Sequence, residues 1–161
     1  MTNSNMRFTM CTVGLLLGLL ALGGCEASQR AAPELLAVVA SKTPKESRMW
    51  MSVGGRRFAI TLVDNAAARA FAAQLPLTLD MAELNGNEKY ASLPKALPTK
   101  PSRPGTIRNG DLMLYGTDTL VIFYLTFGSS YSYTRLGRME DPAGSAEALG
   151  KGDVRVVFSN D

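Results

Sequence analysis

The chain contains no histidine at all. That excludes Ser-His-Asp and Cys-His catalysis and the usual zinc sites of His and Cys. Acid–base work would fall to Asp, Glu, Lys or Tyr. Cysteine is almost as scarce, with Cys11 and Cys25 as the only two. No glycine-rich phosphate loop occurs. Ser92-Leu93-Pro94-Lys95 fits S-x-x-K, but no S-D-N or K-T-G follows, so the match is read as chance. Lys and Arg number 17 against 14 Asp and Glu, a net +3. So mild an excess gives no electrostatic case for nucleic acid as a partner. The composition implies no cofactor and no metal.

The long apolar run lies at the front. Arg7 precedes Phe8 to Leu22, which includes Leu15-Leu16-Leu17-Gly18-Leu19-Leu20. A comfortable membrane span needs ~20 apolar residues, so this run is short for one. One charge, an apolar core and a small-residue end describe a secretory signal over 1–24. The end, Leu22-Gly23-Gly24-Cys25, resembles the lipobox of bacterial lipoproteins. The resemblance implies cleavage before Cys25 and a diacylglycerol on its sulfur. Cys11 leaves with the signal, so no disulfide forms in the mature chain. Each buried CH₂ of the lipid contributes ~0.8 kcal/mol, so several acyl chains anchor firmly to a membrane. Glu26, rather than Asp, follows the cysteine. The expectation is an exported protein on the outer membrane, facing the periplasm. Residues 25–47 then read as the lipidated N-terminus and a tether of Ala, Ser, Pro, Lys and Glu.

Residues 48–159 form one domain, large enough for its own core. Met49 to Val53 reads as a strand and Gly54-Gly55 as a tight turn. Phe58, Ile60 and Leu62 alternate along the next strand. Asp64 or Asn65 caps a helix over 65–75, with Ala68, Phe71, Ala72 and Leu75 as its apolar stripe. Pro76 stops it. Leu77 to Met81 alternates like a strand. Residues 83–105 look loop-like, with prolines at 94, 98, 101 and 104. Lys95, Lys100, Arg103 and Arg108 make the last part of that region basic. Leu112–Tyr115 is a strand, and Leu120–Leu125 is an apolar strand buried on both sides. Tyr131 to Leu136 alternates again. A short helix ends at Leu149-Gly150. Val154, Val156 and Phe158 are the inward face of the last strand. Many short strands with one or two helices predict a mainly β fold, a closed or nearly closed antiparallel barrel.

That order resembles the cyclophilin family. Met51-Ser52-Val53-Gly54-Gly55, Phe58 to Leu62, and the helix with Ala68 and Phe71 look like its first hairpin and helix. Gly105-Thr106-Ile107 through Leu112-Met113-Leu114, then Val121-Ile122-Phe123-Tyr124, is similar to its central strand pair. Leu136-Gly137-Arg138-Met139 with Glu140-Asp141 looks like its late segment. Val154-Arg155-Val156 would close the barrel. The small bacterial cyclophilin-like proteins are more similar still. Glu83-Leu84-Asn85-Gly86-Asn87-Glu88-Lys89-Tyr90, Gly110 to Gly116 and Ser130 to Gly137 carry that likeness.

The resemblance implies a small cyclophilin-like β-barrel, but not its chemistry. Working cyclophilins carry Phe-His-Arg-x-Ile and Gln-Gly-Gly after the first helix. Their Arg stabilises the twisted X–Pro amide. Here that interval is Leu77 to Pro104, with neither motif and no Arg between Arg69 and Arg103. No catalytic residue is transferred. The sequence therefore points first to a non-catalytic peptide- or ligand-binding module. Its groove would be lined by Tyr90, Tyr115, Tyr131, Tyr133 and Arg135, with Asn85, Asn87 and Glu88 at the rim. Barrel packing of the tyrosines, and an ordinary Asn-Gly turn, are the plainer alternative. A second reading is an unorthodox prolyl isomerase that lowers a barrier of ~18–20 kcal/mol with Arg135 or Arg108 as donor. A third is a structural lipoprotein that binds an envelope partner through the basic loop 95–108.

Overall fold

The computed structural model describes residues 47–160. The export signal, Cys25 and nearly all of the tether lie outside them. The described chain begins with a β-hairpin, β1 (Ser47–Val53) and β2 (Arg56–Leu62). Gly54 and Gly55 join the strands with φ of 57° and 73°. Two successive positive φ values match the right-handed twist of paired strands, and glycine reaches them without strain. Helix α1 (Ala66–Ala72) follows, its first turn closed by Asn65 Oδ1 accepting from Ala68 N. Of the two candidate caps, Asn65 is the one used. The helix is shorter than the 65–75 expected.

Eight strands close the barrel. After β1 and β2 come β3 (Leu77–Leu84), β4 (Glu88–Ser92), β6 (Asp111–Tyr115), β7 (Thr119–Phe123), β9 (Thr134–Met139) and β10 (Val154–Ser159). They run in the order β1-β10-β3-β4-β7-β6-β9-β2, each neighbouring pair antiparallel. Helix α2 (Ser145–Leu149) links β9 to β10. The fold is thus the small closed antiparallel barrel that the alternating strands predict, with two short helices. Met49, Met51, Ile60, Met81, Leu114, Ile122, Val156 and Phe158 are fully enclosed inside it. Phe71 of α1 packs edge-on against Phe158, with ring centroids 5.8 Å apart.

Beside the barrel lies a two-stranded sheet, β5 (Gly105–Ile107) with β8 (Phe127–Ser129). It explains the continuous apolar run of β7. Successive side chains of a strand point to opposite faces. Leu120 and Ile122 join the barrel core. Val121 and Phe123 join a second cluster with Ile107, Met113 and Tyr133, against which Phe127 packs. One strand thus serves two cores.

Two expectations are corrected. Residues 83–105 are not one loop: β3 runs on through Glu83-Leu84, and β4 occupies 88–92. Asn85 and Gly86, at φ 57° and 70°, form the turn between them. The charges of Glu88 and Lys89 hide a strand whose alternate positions, Lys89 and Ala91, are buried. Likewise, Tyr131 to Leu136 is not one strand. Regular pairing starts at Thr134, and Tyr133 makes an isolated bridge to Ser102.

Candidate functional site

The outer faces of β4, β7 and β6 form the floor of an open groove. Glu88 and Tyr90 alternate with the buried Lys89 and Ala91 along β4, so they point outward. The register sets Tyr90 beside Val121, and Tyr115 beside Thr119. The turn residues Leu84 and Asn85 border one side. Tyr131 and Tyr133, between β8 and β9, border the other. These residues enclose a groove of about 400 Å³. A smaller hollow of about 160 Å³ adjoins it and shares Asn85, Glu88, Tyr131 and Tyr133.

The rings are arranged as walls rather than as a stack. Tyr115 and Tyr131 stand nearly perpendicular, at 83° with centroids 6.3 Å apart. Tyr115 meets Tyr133 at 5.7 Å and 55°. Tyr133 in turn lies edge-on to Phe123 at 5.5 Å, which ties the groove to the second core. Its backbone is held from the other side. Ser102 N donates to Tyr133 O at 2.9 Å, and Tyr133 N donates to Ser102 O at 3.0 Å. Tyr133 is therefore the fixed part of that wall, only 7 % exposed, while Tyr131 is 63 % exposed.

Glu88 is the one charged residue lining the groove. It is 9 % exposed. Among the described residues, no donor is hydrogen-bonded to its carboxylate. Burial, and then the negative charge of Glu83, push its pKa up. Burial and Glu88 also raise the Tyr133 hydroxyl, against a hydrogen bond to Ser129 that lowers it. Glu83 shows the opposite balance. Burial works to raise its pKa, but hydrogen bonds with Lys89 and Tyr124 outweigh it and hold the group below its usual range. Tyr124 Oη donates to both Glu83 oxygens, at 2.7 and 2.8 Å. Lys89 Nζ ion-pairs with Glu83 and donates to Gly150 O at 2.9 Å and Gly152 O at 2.7 Å.

The structure places six of the candidate residues, Asn85, Glu88, Tyr90, Tyr115, Tyr131 and Tyr133, around the groove. Asn87 lines the adjoining hollow, with its Oδ1 buried and unpartnered. Arg135 does not line either. Its Nη1 donates to Asp111 Oδ1 at 3.0 Å, and Arg138 Nε stands 3.8 Å from the same oxygen. Asp111, 1 % exposed, also accepts from Arg108 N at 2.9 Å. Arg135 therefore closes a carboxylate at the start of β6 instead of serving the groove. Sequence reasoning missed Leu84, Thr119 and Val121, which only the pairing of β4, β7 and β6 brings to the tyrosines. Lys95, Lys100, Arg103 and Arg108 of the basic loop are all exposed. Among the described residues no three acidic, histidine or cysteine side chains converge as a metal site would need.

A closed barrel with an outward groove on three of its strands defines the class of protein. The chain belongs to the cyclophilin-like family, whose model matches residues 51–159. The solution structure of a hypothetical protein from Archaeoglobus fulgidus is similar at 17 % identity and a TM-score of 0.49. The match covers 72 % of this chain and 95 % of that one. No curated protein matches significantly.

Proposed function

We propose that this chain is an envelope lipoprotein whose cyclophilin-like domain binds a ligand without isomerising it. One observation carries the binding reading: a preformed groove of about 400 Å³ with four tyrosines and a buried carboxylate on its lining. Apolar walls with a few convergent polar groups suit a peptide segment or a small molecule. Rotation about an X–Pro amide instead calls for a donor aimed at the proline nitrogen. The lining holds no Arg or Lys, and Arg135 is engaged by Asp111.

The anchor is argued from Leu22-Gly23-Gly24-Cys25. Export through residues 1–24 and acylation of Cys25 place the domain on a tether at the membrane, and Glu26 favours the outer one. Palmitate labelling that persists in Cys25→Ser would overturn the anchor.

The groove is tested by screening the full chain, in neutral detergent, against a library of short peptides that includes X–Pro sequences. Peptides retained by the parent should be lost by Tyr131→Ala and kept by Arg135→Ala. Retention unaffected by Tyr131→Ala would move binding away from the groove. An X–Pro exchange assay on the same samples should show no acceleration. Acceleration that Arg135→Ala removes would make the protein an unorthodox isomerase.

A further inference from the structure

Glu88 is 9 % exposed and has no protein donor among the described residues, so its carboxylate meets only what the groove holds. Buried carboxylates in proteins are paired, hydrogen-bonded or metal-bound, because desolvation without a partner is costly. Two other carboxylates of the domain, Glu83 and Asp111, follow that rule. Glu83 has Lys89, Tyr124 and Gly86 N. Asp111 has Arg135 and Arg108 N. Glu88, at 9 % exposure, has no donor among the described residues, and it opens onto both the groove and the adjoining hollow. Its oxygens are not among the sealed unpartnered atoms, so water in the groove is their partner in the free protein, and a cation seated there would take that water's place.

The walls say what kind of partner. Tyrosine rings carry negative potential on their faces and attract a cation placed over them. Tyr115 and Tyr131 meet at 83°, and Tyr133 lies 5.7 Å from Tyr115, so faces of different orientation bound one space. A single carboxylate among aromatic rings is a poor nest for a metal ion, which demands several oxygen donors. It suits a bulky, weakly hydrated cation, whose carbon shell packs on the rings while its charge faces the acid.

Resting on the reading of the groove as a ligand site, we infer that its ligand carries an organic ammonium, seated among Tyr115, Tyr131 and Tyr133 and neutralised by Glu88. The ammonium belongs either to a free alkylammonium compound or to a lysine-type side chain of a peptide.

The test is calorimetric titration of the full chain in neutral detergent with two matched pairs of probes. Choline is compared with 3,3-dimethyl-1-butanol, its neutral isostere. N-acetyl-lysine methylamide is compared with the norleucine analogue. The cationic member of at least one pair should bind roughly tenfold tighter than its neutral partner. The choline pair reports a free ammonium, and the lysine pair a side chain. Glu88→Gln should erase the preference. Tyr131→Ala, at an exposed position that cannot disturb the core, should weaken the cation several-fold. Equal binding of cation and isostere, sensitive to Tyr131→Ala, would overturn the ammonium and leave the groove as an apolar site. If no probe binds, the ammonium inference falls too, and the peptide screen then decides alone whether the groove is a ligand site.

Discussion

Glu88 and Lys89 are consecutive residues of β4, both buried, and they face opposite sides of the barrel wall. Lys89 points inward to one carboxylate and two carbonyls, which use its three protons. Glu88 points outward into the groove with no donor beside it. The same strand therefore carries one charge that fastens the fold and one that faces the site. A shift of register by one residue would exchange the two, so β4 is specified by electrostatics as well as by packing.

Lys89→Met should destabilise the domain by about 3 kcal/mol, at the lower end of the cost of breaking a buried pair. The loss is moderated because Glu83 keeps Tyr124 and Gly86 N as donors. The carbonyls of Gly150 and Gly152 lose theirs. Adding Glu83→Gln should recover part of the loss, since no uncompensated charge then remains. Urea unfolding of the single and double variants measures both. A single variant as stable as the parent would show that the network contributes nothing net.

Glu88→Gln should stabilise the protein at neutral pH and not in acid. Leu84 is the residue opposite Glu88 in the β3–β4 pair, and Glu83 beside it acts on Glu88 through its charge; Tyr124 and Tyr133 feel the charge of Glu88 in turn. A carboxyl whose folded pKa is raised holds its proton more tightly in the native state. Ionising it therefore costs native stability. The cost is absent below the ordinary glutamate value of 4.5, grows as pH rises above it, and is complete once pH passes the raised value. The difference in Tm between variant and parent should be more positive at about pH 8 than at about pH 4. A difference independent of pH would mean that Glu88 titrates normally.

The barrel was legible because its strands alternate and its turns carry Gly-Gly, Asn-Gly and Asp-Pro. Residues 49–62 read correctly for that reason, and so did most of β7, whose apolar run matches two cores, although the strand ends at Phe123 and Leu125 is exposed. β4 was not legible. Its inward positions hold a lysine whose charge is cancelled by Glu83, 6 residues away along the chain but adjacent across the hairpin. The four tyrosines could be named as candidates, because aromatic residues in a polar stretch suggest a surface site. Arg135 could not be excluded from them. Its partner, Asp111, is 24 residues away and is brought to it by the β6–β9 pairing.

Gly137→Ala should cost about 1–3 kcal/mol through overpacking. A Cβ on Gly137 would stand 2.6 Å from Thr61 O and 3.2 Å from Leu62 Cα, both backbone atoms of the paired strand β2. Neither can move without opening the β2–β9 ladder. Gly152→Ala is the control, because nothing lies within 4 Å of its added carbon. It should change stability by less than about 0.5 kcal/mol. Equal urea midpoints for the two variants would contradict the close approach.

Tyr124→Phe separates the tyrosine from the lysine in holding Glu83. The variant keeps the ring and loses the hydroxyl that donates to both carboxylate oxygens at 2.7 and 2.8 Å. A hydrogen bond to a charged acceptor contributes about 1.5–3 kcal/mol, and the partly open position of Glu83 favours the low end. The pH dependence gives the sharper test. A depressed carboxyl pKa adds stability that is fully present above the unfolded value, and that is lost as pH falls through the depressed folded value. Without the hydroxyl, the Glu83 pKa moves up toward its ordinary range. The parent's advantage should therefore be constant near neutrality and shrink on acidification, vanishing once Glu83 is protonated in both proteins. Acid titration of the two proteins, followed by circular dichroism, reads that convergence. An advantage that persisted unchanged into strong acid would place the role of Tyr124 in packing, with Lys89 alone holding the charge.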